Sequence, residues 1–401
     1  MNVYIFEDHR SLDLEPITLT RPAFEIRCGA FTCIERISLY LPDTNMHLFV
    51  RPELEELTQE TFPGNIVNPA IVEEGLWLLG NVLWNNDLMD QIVNNKDTAF
   101  YHHATFVGAY LTKVEGQEWV QDGGPSVQDY ASTKEEKNLE CKPIHFLWEA
   151  IQETGKQLES DIKFFNDYST PKTDATLINS DQILSHSSVI IAQSSVIDAS
   201  NGPVVLDKNT VIKPMTYLEG PLYLGEGNIV ASMTKFKGAS SIGPVCKLGG
   251  EINNVIIQGW SNKVHDGHLG NAYLGQWVNL GAGTINSDLK NNYSDVKVMV
   301  NGTMRDTGTI QIGCFLGDHV KTAIGTLLNT GTVIGPGSNI VSRGFPAKTI
   351  TSFSWCVGEK IRKIKWDAFI KTVKVVKSRR GIEISKAEIT LLESIYHNKK
   401  T

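Results

Sequence analysis

Two polar segments interrupt an otherwise apolar, regular stretch of this sequence: Gly259-Trp-Ser-Asn-Lys-Val-His265-Asp-Gly-His-Leu-Gly270 and Asn279-Leu-Gly-Ala-Gly-Thr-Ile285. His265 supplies an imidazole, which near its ordinary pKa of about 6.5 can take up a proton at neutral pH. The small run Gly281-Ala282-Gly283 leaves backbone N–H groups accessible to a developing oxyanion. Plain alternatives are a surface-loop histidine and, for Asn279, an asparagine turning a corner. Cations lie on both sides. Lys235, Lys237 and Lys247 come before, and His319 and Lys321 follow within Gly317-Asp-His-Val-Lys-Thr-Ala-Ile-Gly-Thr326. They read either as contacts to phosphate or as a solvated face. A second imidazole, His268, stands three residues after the first.

The element that must position these groups is a repeat. From Val204 the chain divides into sixes, VVLDKN, TVIKPM, TYLEGP, LYLGEG, NIVASM, TKFKGA, SSIGPV and CKLGGE. The third place is always a large apolar residue: Leu206, Ile212, Leu218, Leu224, Val230, Phe236, Ile242 and Leu248. A period of six is neither helical nor simple alternation. It predicts a short strand and a turn, three to a coil of about eighteen residues, with coils stacked at about 4.8 Å. Glycine often follows the aliphatic residue, as at Gly225, Gly243 and Gly249, where a corner is crowded or a left-handed φ is required. The rhythm resumes at Leu274 and Leu280 and again at Leu316, Leu328, Ile334 and Ile340, with Thr322 in the same register. Asn286–Arg305 is too long for a corner and is expected to project as a loop. Ala175–Ile197 is expected to form irregular first coils.

Composition agrees with two or more domains in 401 residues, with 41% hydrophobic and 20% charged residues and a formal net charge of −8. That charge disfavours a broad nucleic-acid footprint. Six cysteines without C-x-x-C spacing suit a reducing compartment, and Met1–Ser11 lacks the basic and apolar pattern of a secretory signal, so a cytoplasmic location is expected. Of the 34 glycines, 23 fall between Asn201 and Gly344, which puts the compositional change near residue 200. The first 165 residues read as mixed α/β, with strands at Met1–Phe6 and His47–Val50 and helices at Cys33–Leu41 and Asn86–Val93. After Pro346 the basic segment Gly358–Ser378 has mostly helical apolar spacing, and Ser385 caps a second helix to His397.

The hexads resemble those of the left-handed β-helix acyltransferases. The run Asn262-Lys-Val-His265, Leu269-Gly270, Tyr273-Leu-Gly275 and Asn279-Leu-Gly-Ala-Gly-Thr284 is similar to the acetyltransferase half of the bacterial bifunctional enzymes that make UDP-N-acetylglucosamine. This resemblance implies an α/β nucleotidyltransferase-like domain at 1–168, a left-handed parallel β-helix at 169–352 and C-terminal helices at 353–401, assembled as a homotrimer. It also implies that His265 is the general base, that Asn279 and His268 contact sugar or acetyl donor, and that Lys235, Lys237 and Lys247 meet the sugar phosphate. Ala282, His319 and Lys321 would then line the acetyl-CoA groove. His268 stands where the family usually has tyrosine, and Asp288-Leu289 where it has Asn-Tyr. Two family lysines are unmatched, at Asn253 and Ser294.

In the first half the family's glycine-rich phosphate loop is missing. Phe6-Glu-Asp-His-Arg10 stands in its place, followed by Leu14-Glu-Pro-Ile-Thr-Leu-Thr-Arg21-Pro22, which resembles the continuation of that loop. Arg10, Arg21 and Arg27 could hold nucleotide phosphate in place of glycine amides, or pack between domains. Glu7, Asp8 and Asp87 are the candidate carboxylates for Mg²⁺. The expectation is acetyl-CoA-dependent N-acetylation of a hexosamine 1-phosphate, coupled to nucleotidyl transfer from UTP or dTTP. The alternatives are one activity alone, or a non-catalytic scaffold that binds sugar nucleotide.

Overall fold

A computed structural model describes residues 1–342 and 344–398. Asn2–Phe6, a run of β-branched and aromatic side chains, is buried on both faces and forms an interior strand of a seven-stranded sheet. Its neighbours are Asn45–Phe49, itself edged by Ile66–Val67, and on the other side Gly75–Leu79. These four strands are parallel, while Thr105–Leu111 joins Gly75–Leu79 antiparallel. Chain order reverses about Asn2–Phe6, the place where open α/β sheets receive ligands at their carboxyl ends. The expected helices form as Cys33–Tyr40, started by a Thr32–Glu35 capping box, and Asn86–Val93, capped by Asn85.

The repeat region is a stack of parallel strands on three faces, a β-helix consistent with the left-handed coil expected. Tyr217 lies opposite Lys235 and Ile229 opposite Lys247, the eighteen-residue coil that the hexads require. All eight third-place side chains point inward and are at most 1% exposed. Burying each contributes about 1.5–3 kcal/mol. Gly225, Gly243 and Gly249 keep ordinary φ; their need for glycine is close approach. A Cβ would meet a carbonyl oxygen of the next coil at 2.9, 2.1 and 2.0 Å respectively. Ala175–Ile197 is regular, because Ile183 and Ile197 fill the interior as the later aliphatics do.

Asn286–Arg305 differs from the free loop expected. It folds back as an antiparallel hairpin, Lys297–Val300 with Thr303–Asp306. The alternation Val296, Val298, Val300 gives it an apolar face, which packs with Leu14, Ile17 and Ile26 of the first domain and with Ile256, Tyr273 and Phe315 of the coil stack. Helix Leu147–Asp161 completes this interdomain core through Leu147, Trp148 and Ile151. The tail also differs at its start: Ser354–Val357 and Lys360–Lys363 pair antiparallel before helices Trp366–Ser378 and Lys386–His397 begin. Phe369, Val373, Leu391 and Leu392 then join the core of the first domain, so the tail ties the coil stack to that domain.

Candidate active site

His265 lies on the turn between Asn262–Lys263, on one face of the coil stack, and His268–Gln276, on the next. Its residue is exposed at a corner, away from the packed interior. What fixes that corner is a buried lysine. Lys263 occupies an inward position where neighbouring coils carry aliphatics; it is 2% exposed and donates to the carbonyls of Gly249 at 3.0 Å and His265 at 2.6 Å. Burial pushes its pKa down to about 8.

The adjacent coil supplies the second polar segment. The Gly283 amide donates to Asp266 O at 3.0 Å, stacking Gly281–Thr284 on the His265 turn. The Gly281 amide donates to the Thr322 hydroxyl and that of Thr284 to Gly281 O. Of these four amides, Ala282's alone has no hydrogen-bond partner among the described residues.

Two rows of side chains flank the corner. On one face Lys247, Asn262, Asn279 and Lys321 follow in register. Asn262 donates to Asn279 Oδ1 at 3.2 Å and accepts from Arg380 of the tail at 2.9 Å. Lys321 donates to the His319 carbonyl at 3.2 Å, and burial pushes its pKa down to about 8. On the other face Lys235, Glu251 and His268 form one column and Lys237 stands opposite Asn253. Both of these lysines are exposed.

His268 is held between carboxylates, with Glu251 at 3.5 Å and Asp288 at 3.6 Å. Asp288 first, then the field of Glu251, raises its pKa against the cost of burial, and the imidazole in turn lowers that of Asp288. Asp288 also accepts from Asn271 at 2.7 Å. Gly270 makes room for this pair: a Cβ there would lie 2.3 Å from Asp288 Oδ2 and 2.4 Å from His268 Nε2.

The sequence reading of this region missed Lys263, Glu251, Asp288 and Arg380 as partners. Glu251 was recoverable, since it precedes His268 by about one coil. His319 needs correction. It is 2% exposed beneath the tail helices, its ring parallel to that of Trp277 at 6.4 Å and edge-on to Phe369 at 5.9 Å, so it is covered by the tail and not presented on an open face of the coil stack. The cause is the tail, whose apolar face required a partner.

In the first domain the expected phosphate contacts are mostly spent on packing. Arg21 is buried and paired with Asp318 of the coil stack, and Thr20 donates to the same carboxylate at 2.9 Å. Arg27 is buried, donates to Ala30 O at 2.6 Å and lies 5.9 Å from the Tyr223 ring. Both therefore join domains. Arg10 remains half-exposed but is engaged by Asp8, by Thr105 at 2.9 Å and by Asp129 at 3.2 Å.

Glu7, fully buried, accepts from the Arg51 side chain at 3.0 Å and from the Ala23 amide at 2.9 Å. These bonds draw residues 8–27 across the strand ends. Phe24 then fills the crevice, where a Cβ on Gly80 would come within 2.6 Å of Phe24 Cβ. Asp87 is exposed on the first turn of its helix. Among the described residues no three His, Cys, Asp or Glu side chains gather as metal ligands. Glu7 and Asp8 are engaged by Arg51 and Arg10, Asp87 stands exposed, and no step below is routed through Mg²⁺.

Residues 3–170 match the family model for sugar nucleotidyl transferase. That family is one of transferases. The chain is also similar to a bifunctional sugar-1-phosphate nucleotidylyltransferase/acetyltransferase of Sulfurisphaera tokodaii, 30% identical over 141 residues that make up 35% of either chain. It is similar to the bifunctional protein GlmU of Polaromonas naphthalenivorans, 25% identical over 146 residues, or 35% of this chain and 28% of that one. These alignments span about a third of the curated relatives' length. A UDP-N-acetylglucosamine acyltransferase structure from Campylobacter jejuni covers 56% of this chain and 93% of its own at 11% identity and a TM-score of 0.23. Among the described residues no helix is long and apolar enough to cross a membrane.

Proposed function

We propose that the chain acts in sugar-nucleotide biosynthesis and that its coil stack transfers an acetyl group from acetyl-CoA to the amine of a hexosamine 1-phosphate. The observation that carries this reading is His265, exposed on a corner braced by Lys263 and stacked beside the unpartnered Ala282 amide. The uncharged amine attacks the thioester carbonyl and sheds a proton as the C–N bond forms. His265 accepts that proton, a role worth about 10²–10⁴ in rate. The Ala282 N–H is free to donate to the oxyanion of the tetrahedral intermediate, which collapses with loss of the CoA thiolate. Lys235 and Lys237, exposed on the His268 face, suit a sugar phosphate, and Asn279 and Lys321, on the other face, suit the acetyl donor.

A single coil stack has no deep cavity, so the substrate groove forms between copies in a homotrimer. Met233 and Ile324, 65% and 78% exposed on corners below and above His265, supply apolar contact for that assembly. Sedimentation at micromolar protein would show a trimer, and a monomer would remove the shared groove.

A second reading, in which acetyl transfer is the only activity kept, is favoured by Phe24 and the Glu7–Arg51 pair closing the strand-end crevice. Two assays separate the readings. Thiol release from acetyl-CoA with glucosamine 1-phosphate tests the coil stack. Pyrophosphate release from UTP or dTTP with a sugar 1-phosphate tests the first domain. Turnover in the first assay alone supports the narrower reading; turnover in neither sinks both.

A further inference from the structure

The coil stack ends in an open edge. Lys360–Lys363 pairs antiparallel with Ser354–Val357 and with no other strand among the described residues. Residues directly opposite in such a pair share a side, so Trp355 with Arg362 and Val357 with Lys360 stand on the outer face, turned away from Cys356 in the core. Ile361 lies opposite Cys356 and shares its side, but one strand further on, past the last coil. There it lines, with Phe345, a hollow of about 380 Å³ at the end of the stack. Phe345, Trp355, Val357 and Ile361 are 44–61% exposed. We propose that this tip docks on an anionic lipid surface.

Charge and apolar area are interleaved here. Lys360, Arg362, Lys363 and Lys365 are all exposed, and none of them is in an ion pair among the described residues. Between Gly358 and Trp366 the only acid is Glu359, although the chain as a whole carries −8. The tip is therefore a local cationic spot on an acidic protein, and it favours an anionic partner.

Lysines on an edge strand ordinarily keep it from pairing with another chain. That role calls for no tryptophan or valine beside them. A nucleic acid would use the cations and leave Val357 and Ile361 in water. An acidic protein with a flat face would cover one side of the ribbon, whereas its exposed side chains stand on both: Trp355, Val357, Lys360 and Arg362 on one, Ile361 on the other. A bilayer interface closes around an inserted edge from both sides. Headgroup phosphates meet the cations, and the boundary with the acyl chains takes the aromatic and aliphatic tips. Insertion is shallow, because the unpaired backbone of Lys360–Lys363 must stay within reach of water.

The test uses the full chain and phosphatidylcholine vesicles made with and without phosphatidylglycerol, read by co-sedimentation. Binding is expected to the anionic vesicles alone, and it should fall as salt is raised. Lys360→Glu combined with Arg362→Glu should weaken it by about tenfold or more, since each cation near such a surface is worth about fivefold. Brominated acyl chains should quench tryptophan fluorescence more in the parent than in Trp355→Phe, which keeps the apolar contact. All these positions are exposed, so urea unfolding of the variants should match the parent's. His265→Ala should bind as the parent does, which separates this surface from acetyl transfer. No binding to anionic vesicles, binding untouched by the charge reversal, or equal quenching in Trp355→Phe would each overturn the proposal. So would tighter binding of polyglutamate or an oligonucleotide, which would make the tip a general polyanion surface. A smaller sedimenting species for Phe345→Ser combined with Trp355→Ser would overturn it too, by making the tip a contact between copies.

Discussion

The carboxyl ends of the parallel strands and the corner at His265 are both places where a fold of their kind receives a ligand, and this chain treats them oppositely. At the strand ends the buried carboxylates have protein partners: Glu7 holds Arg51 and the Ala23 amide, and Asp8 holds Arg10. At the corner the bonds are made by atoms behind the turn, Lys263 and the Asp266 carbonyl, and the imidazole is left facing outward. Polar residues at a family's ligand position therefore indicate function only where the surrounding structure leaves them unused.

The largest effect should come from opening the first region. Glu7→Ala strands the Arg51 guanidinium and the Ala23 amide in the interior, and should cost about 3–5 kcal/mol of stability in urea unfolding. A loss below about 1 kcal/mol would mean that the crevice is not sealed by this pair. His265→Ala should leave the unfolding curve within about 0.5 kcal/mol of the parent, as at an ordinary exposed position.

At the corner's flank, Gly270→Val would push a side chain into Asp288 and His268. The expected cost is about 1–3 kcal/mol, with the His268 titration moved back towards its ordinary range; an unmoved titration would show that the ring does not depend on this approach. A smaller effect than that of Gly270→Val should come from Asp288→Asn. Because Asp288 raises the pKa of His268, its contribution is present while the imidazole is protonated and fades as pH rises through the raised value. The depressed pKa of Asp288 sets the acid limit, where the carboxylate is protonated. Between those limits the variant should be less stable by under about 1 kcal/mol, since the pair is partly solvated. NMR of the His268 ring should show a lowered pKa in the variant, and an identical titration curve would contradict the pairing.

How far each region was legible follows from the distance in sequence over which its interactions run. The hexads could be read because each inward side chain repeats its neighbour's environment six residues on, and Leu206 to Leu248 all bury as their spacing predicts. The segment carrying His265 read as an interruption of that rhythm, although its turn falls between two coil faces. Arg21 was ambiguous because its partner, Asp318, lies 297 residues away. His319 looked like a groove residue until the tail helices were laid over it. The valines of the hairpin after Asn286 alternate in the sequence, but the face they cover belongs to another domain.

The central claim is that the His265 imidazole carries the proton in acetyl transfer, and it is tested most directly by the rate of CoA release from acetyl-CoA and glucosamine 1-phosphate by the intact chain and by His265→Ala. The account predicts a fall of about 10²–10⁴ in turnover with an unchanged unfolding curve. Equal rates for the two proteins would contradict it.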